Sequence, residues 1–149
     1  MRARRLTAGD RDLARELFGV MASVFDEASD RLSDSYLDRL LGREDFWAIA
    51  AFSGSAIIGG VTAHTLPMTR SESSEIFIYD LAVKVEHQRQ GVGRHLIASL
   101  RDAAAAAGVR GVLFVPADNA DEHALEFYRA LGGQPSPVTF FTFPLSTAE

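Results

Sequence analysis

Residues 76–83 read IFIYDLAV, and a loop containing HQRQGVGRHL (87–96) follows them. The first stretch has the composition of a buried β-strand. Behind the loop, Leu96, Ile97, Leu100 and Ala104 share one face of a predicted helix over 92–107, and VLFV (112–115) reads as a buried strand. Strand, loop, helix and strand in that order form a crossover unit, so the two strands are predicted to be parallel and the crossover right-handed. Such a unit needs a central sheet with helices laid over its faces.

The flanking sequence extends this frame. Residues 2–7 read as a first strand. Leu13, Leu17, Val20, Met21, Val24 and Phe25 recur at helical spacing over 10–25. Tyr36, Leu37, Leu40 and Leu41 do the same over 34–43, behind Ser33 as N-cap. FWAIAAF (46–52) and IIGGVTAHTL (57–66) around SGSA predict a β-hairpin, and 67–74 reads as a polar loop. Helix 121–131 carries Ala124, Leu125, Tyr128 and Leu131 and stops at Gly132-Gly133, and VTFFTF (138–143) predicts a last strand. The expectation is one α/β domain over 1–149, with a mixed sheet of six to seven strands flanked by about four helices on both faces. A chain of 149 residues that is 47% hydrophobic can bury such a core.

Charge and cysteine content exclude several function classes. A net charge of −5 argues against a nucleic-acid binder. The absence of cysteine removes disulfides, thiolate metal sites and a cysteine acyl-enzyme. His64, His87, His95 and His123 show no metal-ligand spacing and read as structural or surface residues, so no metal is expected. No apolar run is long enough to span a membrane. MRARRLTAGDRD has no apolar segment behind its basic residues and meets acids at once, so neither a secretory nor a transit signal is expected, and the cytoplasm is the expected compartment. The acids are clustered. Asp26, Glu27, Asp30 and Asp34; Glu72, Glu75 and Asp80; and Asp118, Asp121, Glu122 and Glu126 make 11 of the 20. Each cluster alone fits a solvated helix end or loop. If they converge, they would attract a polycation.

The loop carries the chemistry. Gly91 and Gly93 let a ligand approach the backbone, and the amides from Gln90 to Arg94 open the following helix as an anion site. Arg89 and Arg94 add charge-assisted donors. No GK[ST] follows, and the spacing is not GxGxxG. On spacing alone a plain turn is an equal alternative.

Gln88-Arg89-Gln90-Gly91-Val92-Gly93 resembles the Q/R-x-x-G-x-G/A signature of the GNAT superfamily of acetyl-CoA-dependent N-acetyltransferases, and the preceding LAV and the later FYRALG are similar to it too. The resemblance implies acetyl-CoA as cosubstrate. Its pyrophosphate would lie on the amides from Gln90 through Val92 to His95, and its pantetheine would lie beside Leu81, Ala82 and Val83, between two strands that splay apart. SEIFIYDLAV with EHQRQG, YLDRLL, FWAIAAF and ADNADEHALEFYRALGG, together spanning about 33–133, is most similar to the aminoglycoside 3-N-acetyltransferase branch, which has a Tyr-Asp pair in the central strand. Here that pair is Tyr79-Asp80. The resemblance places Tyr128 near the CoA sulfur as proton donor, and it implies a homodimer.

A carboxylate among IFIYDLAV is costly unless it has a partner. Without a cysteine, an amine must attack the thioester directly in a ternary complex. Asp80 is the candidate to hold the ammonium group and take its proton; its alternative is a buried aspartate capping a loop or paired with an arginine. Strand alternation puts Asp80 on the face of Ile78 and Ala82, and Tyr79 on the other face, as packing. The oxyanion is met by a backbone N–H near Leu81 or Ala82. Tyr128 by itself reads slightly more readily as a core aromatic, since a tyrosine at helical spacing usually packs, and only the resemblance reverses that. Asn119 either bonds pantetheine or caps the helix. Glu75, Asp118, Asp121 and Glu122 are candidates for further ammonium groups of a cationic small molecule. Beside aminoglycoside acetylation stand polyamine or protein-amine acetylation, and a silent acyl-CoA-binding module with Asp80 salt-bridged away and Tyr128 turned into the core.

Overall fold

The structure, a computed structural model, describes residues 1–146. The order is β1 (Arg2–Arg5), α1 (Arg11–Val24), α2 (Asp34–Leu41), β2 (Phe46–Ser53), β3 (Ala56–Pro67), β4 (Ser74–Val83), a 3-10 turn (Val85–His87), α3 (Val92–Ala106), β5 (Leu113–Phe114) and α4 (Glu122–Ala130). Two compact units contain these elements, Met1–Pro116 and Ala117–Glu149.

In the first unit the strands lie in the order β1-β2-β3-β4-β5. The β1–β2, β2–β3 and β3–β4 pairs are antiparallel, and β4–β5 is parallel as the crossover predicted. The first seven residues of β2 are all buried because both of its faces are covered. Phe46, Ala48, Ala50 and Phe52 pack in one cluster with Leu17 and Met21 of α1 and Leu37 and Leu41 of α2. Trp47, Ile49 and Ala51 alternate to the opposite face, where α3 lies against the sheet with Leu96, Ile97 and Leu100 buried. Ser33 caps α2 as expected, its hydroxyl accepting from the Tyr36 amide at 3.1 Å.

Helix α1 comes close to the sheet at Gly60. A Cβ there would collide with the Leu17 side chain and lie 2.8 Å from the Ile49 carbonyl oxygen. Gly60→Ala is therefore expected to destabilise the fold by about 1–3 kcal/mol through overpacking. Urea unfolding checks this, and an unchanged midpoint would contradict the close packing.

Five strands are present among the described residues, against the six to seven expected. The missing one is VTFFTF. Residues 138–143 pair with no strand, and Val138, Phe140, Phe141 and Phe143 are exposed. Composition suits a strand there, but a strand exists only where a neighbour completes its backbone hydrogen bonds. The fifth strand is also shorter than expected, and Phe114 is 39% exposed rather than buried.

Candidate active site

The anchor of the site is an irregularity in β4. Thr62 pairs with Asp80 and Ala63 with Ile78, which leaves Tyr79 as an extra residue, a β-bulge. Cross-strand partners share a face. Asp80 therefore lies with Thr62 and Ala48, on the face covered by α1 and α2, and so does Ala82, which packs in that cluster. Ile78 lies on the other face with Ala63 and Trp47. The expected alternation is thus corrected in two places. Asp80 does not share the face of Ile78. Tyr79 does not turn away either: its ring meets those of His64 at 6.1 Å and Phe77 at 6.3 Å, on the side of Asp80, and it is 64% exposed.

Asp80 is half-buried, and its carboxylate makes no hydrogen bond or ion pair among the described residues. Arg5 Nε is the one fully buried side-chain polar atom without a partner among them, so the Asp80 carboxylate keeps access to solvent. Burial pushes its pKa up, and the charge of Glu27 pushes it further. Glu27 belongs to the acidic 26–34 segment between α1 and α2, so the charge of one acidic segment is felt at the carboxylate of another. Asp34 does not join them: Arg15 hydrogen-bonds its carboxylate, Arg11 also faces it, and its pKa is lowered accordingly. Arg11 also grips Asp38 with two bonds of 2.7 and 2.8 Å, so α1 and α2 are tied together on both sides of that contact. Glu75 lies on the face of Asp80, opposite Leu66.

The pairing of β4 with β5 covers only Ile76↔Leu113 and Phe77↔Phe114. Among the described residues, Leu81, Ala82 and Val83 therefore have no strand partner on that edge of the ladder. Beyond them, Gln88 Nε2 donates to the Val83 carbonyl oxygen at 3.0 Å and Gln90 Nε2 to that of Glu86 at 3.4 Å, which fixes the loop. Arg89 has φ 60° and Gly91 φ 83°, so the chain turns left-handed twice before α3. Gly91 is the N-cap, without a side-chain cap and with open space where a Cβ would stand. The first helical bond there is His95 N–H to the Gly91 carbonyl oxygen at 3.0 Å. The amides of Val92, Gly93 and Arg94 are the first-turn donors that an α-helix leaves without internal partners. An open edge of β4 leading to a glycine-capped helix N-terminus fits a cosubstrate that has an amide-rich arm and a pyrophosphate.

In the second unit, Asp121 caps α4 by accepting from the Ala124 amide at 3.1 Å, and Asp118 accepts from the Ala120 amide at 2.8 Å. Asn119 is thus not the cap. Glu122 is exposed in the first turn. Tyr128 is half-buried against the Phe127 ring at 5.1 Å, and burial together with Asp121 pushes its pKa up to about 12. Among the described residues no cluster of His, Asp and Glu could hold a metal ion.

A profile of the acetyltransferase (GNAT) family matches residues 11–132. The chain belongs to the GNAT family. It is an acetyl-CoA-dependent N-acetyltransferase. Among solved structures it is similar to aminoglycoside acetyltransferase HMB0005 from an uncultured soil metagenomic sample, at 34% identity and a TM-score of 0.92, covering 97% of this chain and 98% of that one. It is also similar to aminoglycoside acetyltransferase meta-AAC0020, likewise from an uncultured soil metagenomic sample and solved with sisomicin, at 31% identity and a TM-score of 0.90, covering 97% and 96%. AAC(6')-Iy in complex with a bisubstrate analogue shares the fold, with a TM-score of 0.79 at 16% identity, covering 97% and 98%. No curated protein matches the sequence. No described helix is long and apolar enough to cross a membrane.

Two features of this site escaped the sequence reading. The bulge that turns Tyr79 onto the Asp80 face has no signal in IFIYDLAV. His64, read there as structural or surface, stands on the same face between Phe46 and Tyr79.

Proposed function

We propose that this acetyltransferase acetylates an amine of an aminoglycoside, the 3-amino group of the deoxystreptamine ring, by direct attack in a ternary complex. The observation that carries the reading is Asp80: a half-buried carboxylate without a cation, its pKa raised by burial and by the charge of Glu27, in the strand whose edge is open from Leu81 to Val83. Two negative groups within electrostatic reach of each other suit a polycationic acceptor. The likeness to two aminoglycoside acetyltransferases above 30% identity supports the same substrate class.

Bound acetyl-CoA supplies the thioester carbonyl that the amine attacks. The residues of this chain do the rest. The amides from Gln90 through Val92 and Gly93 to His95, with Arg89 and Arg94, hold the pyrophosphate, and Gln88 braces their loop. Leu81, Ala82 and Val83 offer backbone groups to the pantetheine arm, with Asn119 as a further donor. Asp80 holds the acceptor ammonium and takes its proton, directly or through water; its raised pKa makes it a better base than an ordinary carboxylate. A backbone N–H at Leu81 or Ala82 meets the developing oxyanion. The Tyr128 hydroxyl, un-ionised at neutral pH, holds the proton that the departing thiolate takes. Glu75, Asp118, Asp121 and Glu122 hold further ammonium groups; Asp118 and Asp121 each spend one oxygen on a backbone amide.

The two compact units form one acetyltransferase domain in this reading, since the family match runs through both. The protein works in the cytoplasm, where acetyl-CoA is made and used. Acetyl-CoA consumption measured in parallel with gentamicin-type aminoglycosides, spermidine and lysine peptides tests the substrate, and NMR of the product tests the position. Activity confined to peptides or spermidine would overturn the aminoglycoside reading. Retention of CoA binding without turnover of any amine would favour a silent binding module.

The protein also acts as a homodimer in this reading. Val138, Phe140, Phe141, Phe143 and Leu145 expose an apolar stretch that a lone copy leaves in water. β5 at the sheet edge has no outer partner among the described residues. A second copy that pairs along these segments covers both. Phe140→Asp combined with Phe141→Asp is expected to shift the mass by light scattering from dimer to monomer at micromolar protein. A wild-type monomer at that concentration would contradict it.

A further inference from the structure

A chain of aromatic rings crosses four strands on the face that carries Asp80, and no step above uses it. Phe46 of β2 meets His64 of β3 at 5.3 Å, and His64 meets Tyr79 of β4 at 6.1 Å. Tyr79 meets Phe77 at 6.3 Å, and Phe77 meets Phe114 of β5 at 5.1 Å. The register explains the alignment: Phe46 pairs with His64, His64 with Phe77, and Phe77 with Phe114. The bulge then adds Tyr79. Its ring meets two neighbours in T-shaped contacts, yet the residue is 64% exposed, next to Asp80 in the chain.

We infer that Tyr79, braced by His64 and Phe77, is a platform for the amino-sugar or aminocyclitol ring that carries, or adjoins, the amine held by Asp80. The inference rests on the aminoglycoside reading and deepens it. An aromatic face attracts a nearby ammonium through its quadrupole and covers the C–H face of a saturated ring. The carboxylates fit the same occupant. Asp80 and Glu75 lie on this face of β4, roughly 15 Å apart along the strand, and the charge of Glu27 in the α1–α2 segment acts on Asp80. Asp45, within electrostatic reach of His64, is held by Arg43 with two bonds of 2.9 Å. A rigid ring stacks on a braced platform with little loss of freedom, whereas a linear polyamine must immobilise several rotors to cover the same area. Tyr79 thus acts as a specificity residue that favours cyclic over linear polyamines.

The test compares wild type, Tyr79→Leu and Tyr79→Phe. Kinetics with a gentamicin-type aminoglycoside and with spermidine are read beside calorimetric binding of the aminoglycoside to the CoA-loaded enzyme. For Tyr79→Leu, KM and Kd for the aminoglycoside are expected to rise about tenfold. Its kcat, its KM for acetyl-CoA, its Tm and any spermidine turnover stay near wild type. Tyr79→Phe keeps the ring and stays near wild type throughout. An active wild type whose KM and Kd do not move in Tyr79→Leu overturns the platform and leaves the substrate reading intact. Equal weakening in Tyr79→Phe also overturns it, because the hydroxyl and not the ring would then be the contact. A wild type that neither binds nor acetylates the aminoglycoside, while it acetylates spermidine or a peptide, overturns the substrate reading and the platform with it.

Discussion

Asp80→Asn is expected to lower kcat by about 10²–10⁴-fold, the range that general base catalysis contributes, while CoA still binds with near wild-type affinity. Asn has nearly the same shape and fits beside Thr62 and Ala82, so the bulge survives. What is lost is the negative charge that holds an ammonium and the oxygen that takes its proton. Steady-state kinetics together with calorimetric CoA binding decide the matter. Near wild-type kcat would remove Asp80 from the reaction, and loss of CoA binding would mean that the substitution disturbs the β4 edge instead.

The same substitution makes a prediction about stability, with a definite sign. The pKa of Asp80 is higher in the folded chain than in the unfolded one, chiefly by burial and secondly by Glu27. The native state therefore holds this proton more tightly. The stabilisation is fully present below the unfolded-state pKa and is lost as pH rises through the folded one. At neutral pH the ionised Asp80 weakens the fold, and Asn relieves it. Asp80→Asn should keep or raise Tm at pH 7 and flatten the dependence of Tm on pH in the acid-to-neutral range. The active enzyme thus accepts a stability cost at the residue that handles the amine. A lower Tm at pH 7 would mean that the carboxylate is a structural group.

Legibility in the sequence follows the range of the interaction that fixes each feature. Helix α2 with its Ser33 cap, the β2–β3 hairpin and the glycine loop all depend on neighbours in sequence, and pattern alone places them. The parallel pairing of β4 and β5 is legible because a short loop and one helix allow little else. The bulge at Tyr79 depends on how β3 registers against β4, which periodicity cannot supply: IFIYDLAV alternates well enough to hide an extra residue. That concealment reversed the side assigned to Tyr79 and kept His64 out of the site. VTFFTF fails in the other direction. Its residues favour a strand, yet strand formation requires a partner edge, and local composition carries no information on whether one is present. The acidic 26–34 segment divides in space, with Glu27 turned to Asp80 and Asp34 consumed by Arg15 and Arg11, a division that needs the placement of α1 against α2.

Tyr128→Phe is expected to lower kcat by about 10²-fold, at the lower end for general acid catalysis, with little change in KM for either substrate. Burial and Asp121 raise the pKa of the hydroxyl to about 12, so at working pH the group is un-ionised and has a proton to give. Phe preserves the ring that packs on Phe127, so helix α4 keeps its contacts and Tm should hold. A departing thiolate that finds no acid must leave with its charge exposed, and the cost falls on the barrier rather than on binding. The opposite pattern, a raised KM with kcat unchanged, would make the tyrosine a contact for the cosubstrate and not its proton donor. The sign for stability is also fixed. Ionisation of a buried phenol is disfavoured in the fold, so wild type loses stability as pH rises from about 10, the ordinary phenol pKa, through about 12, and the Phe variant escapes that loss. Thermal melts at high alkaline pH are expected to separate the two proteins, and coincident melts would place the hydroxyl in solvent with an ordinary phenol pKa.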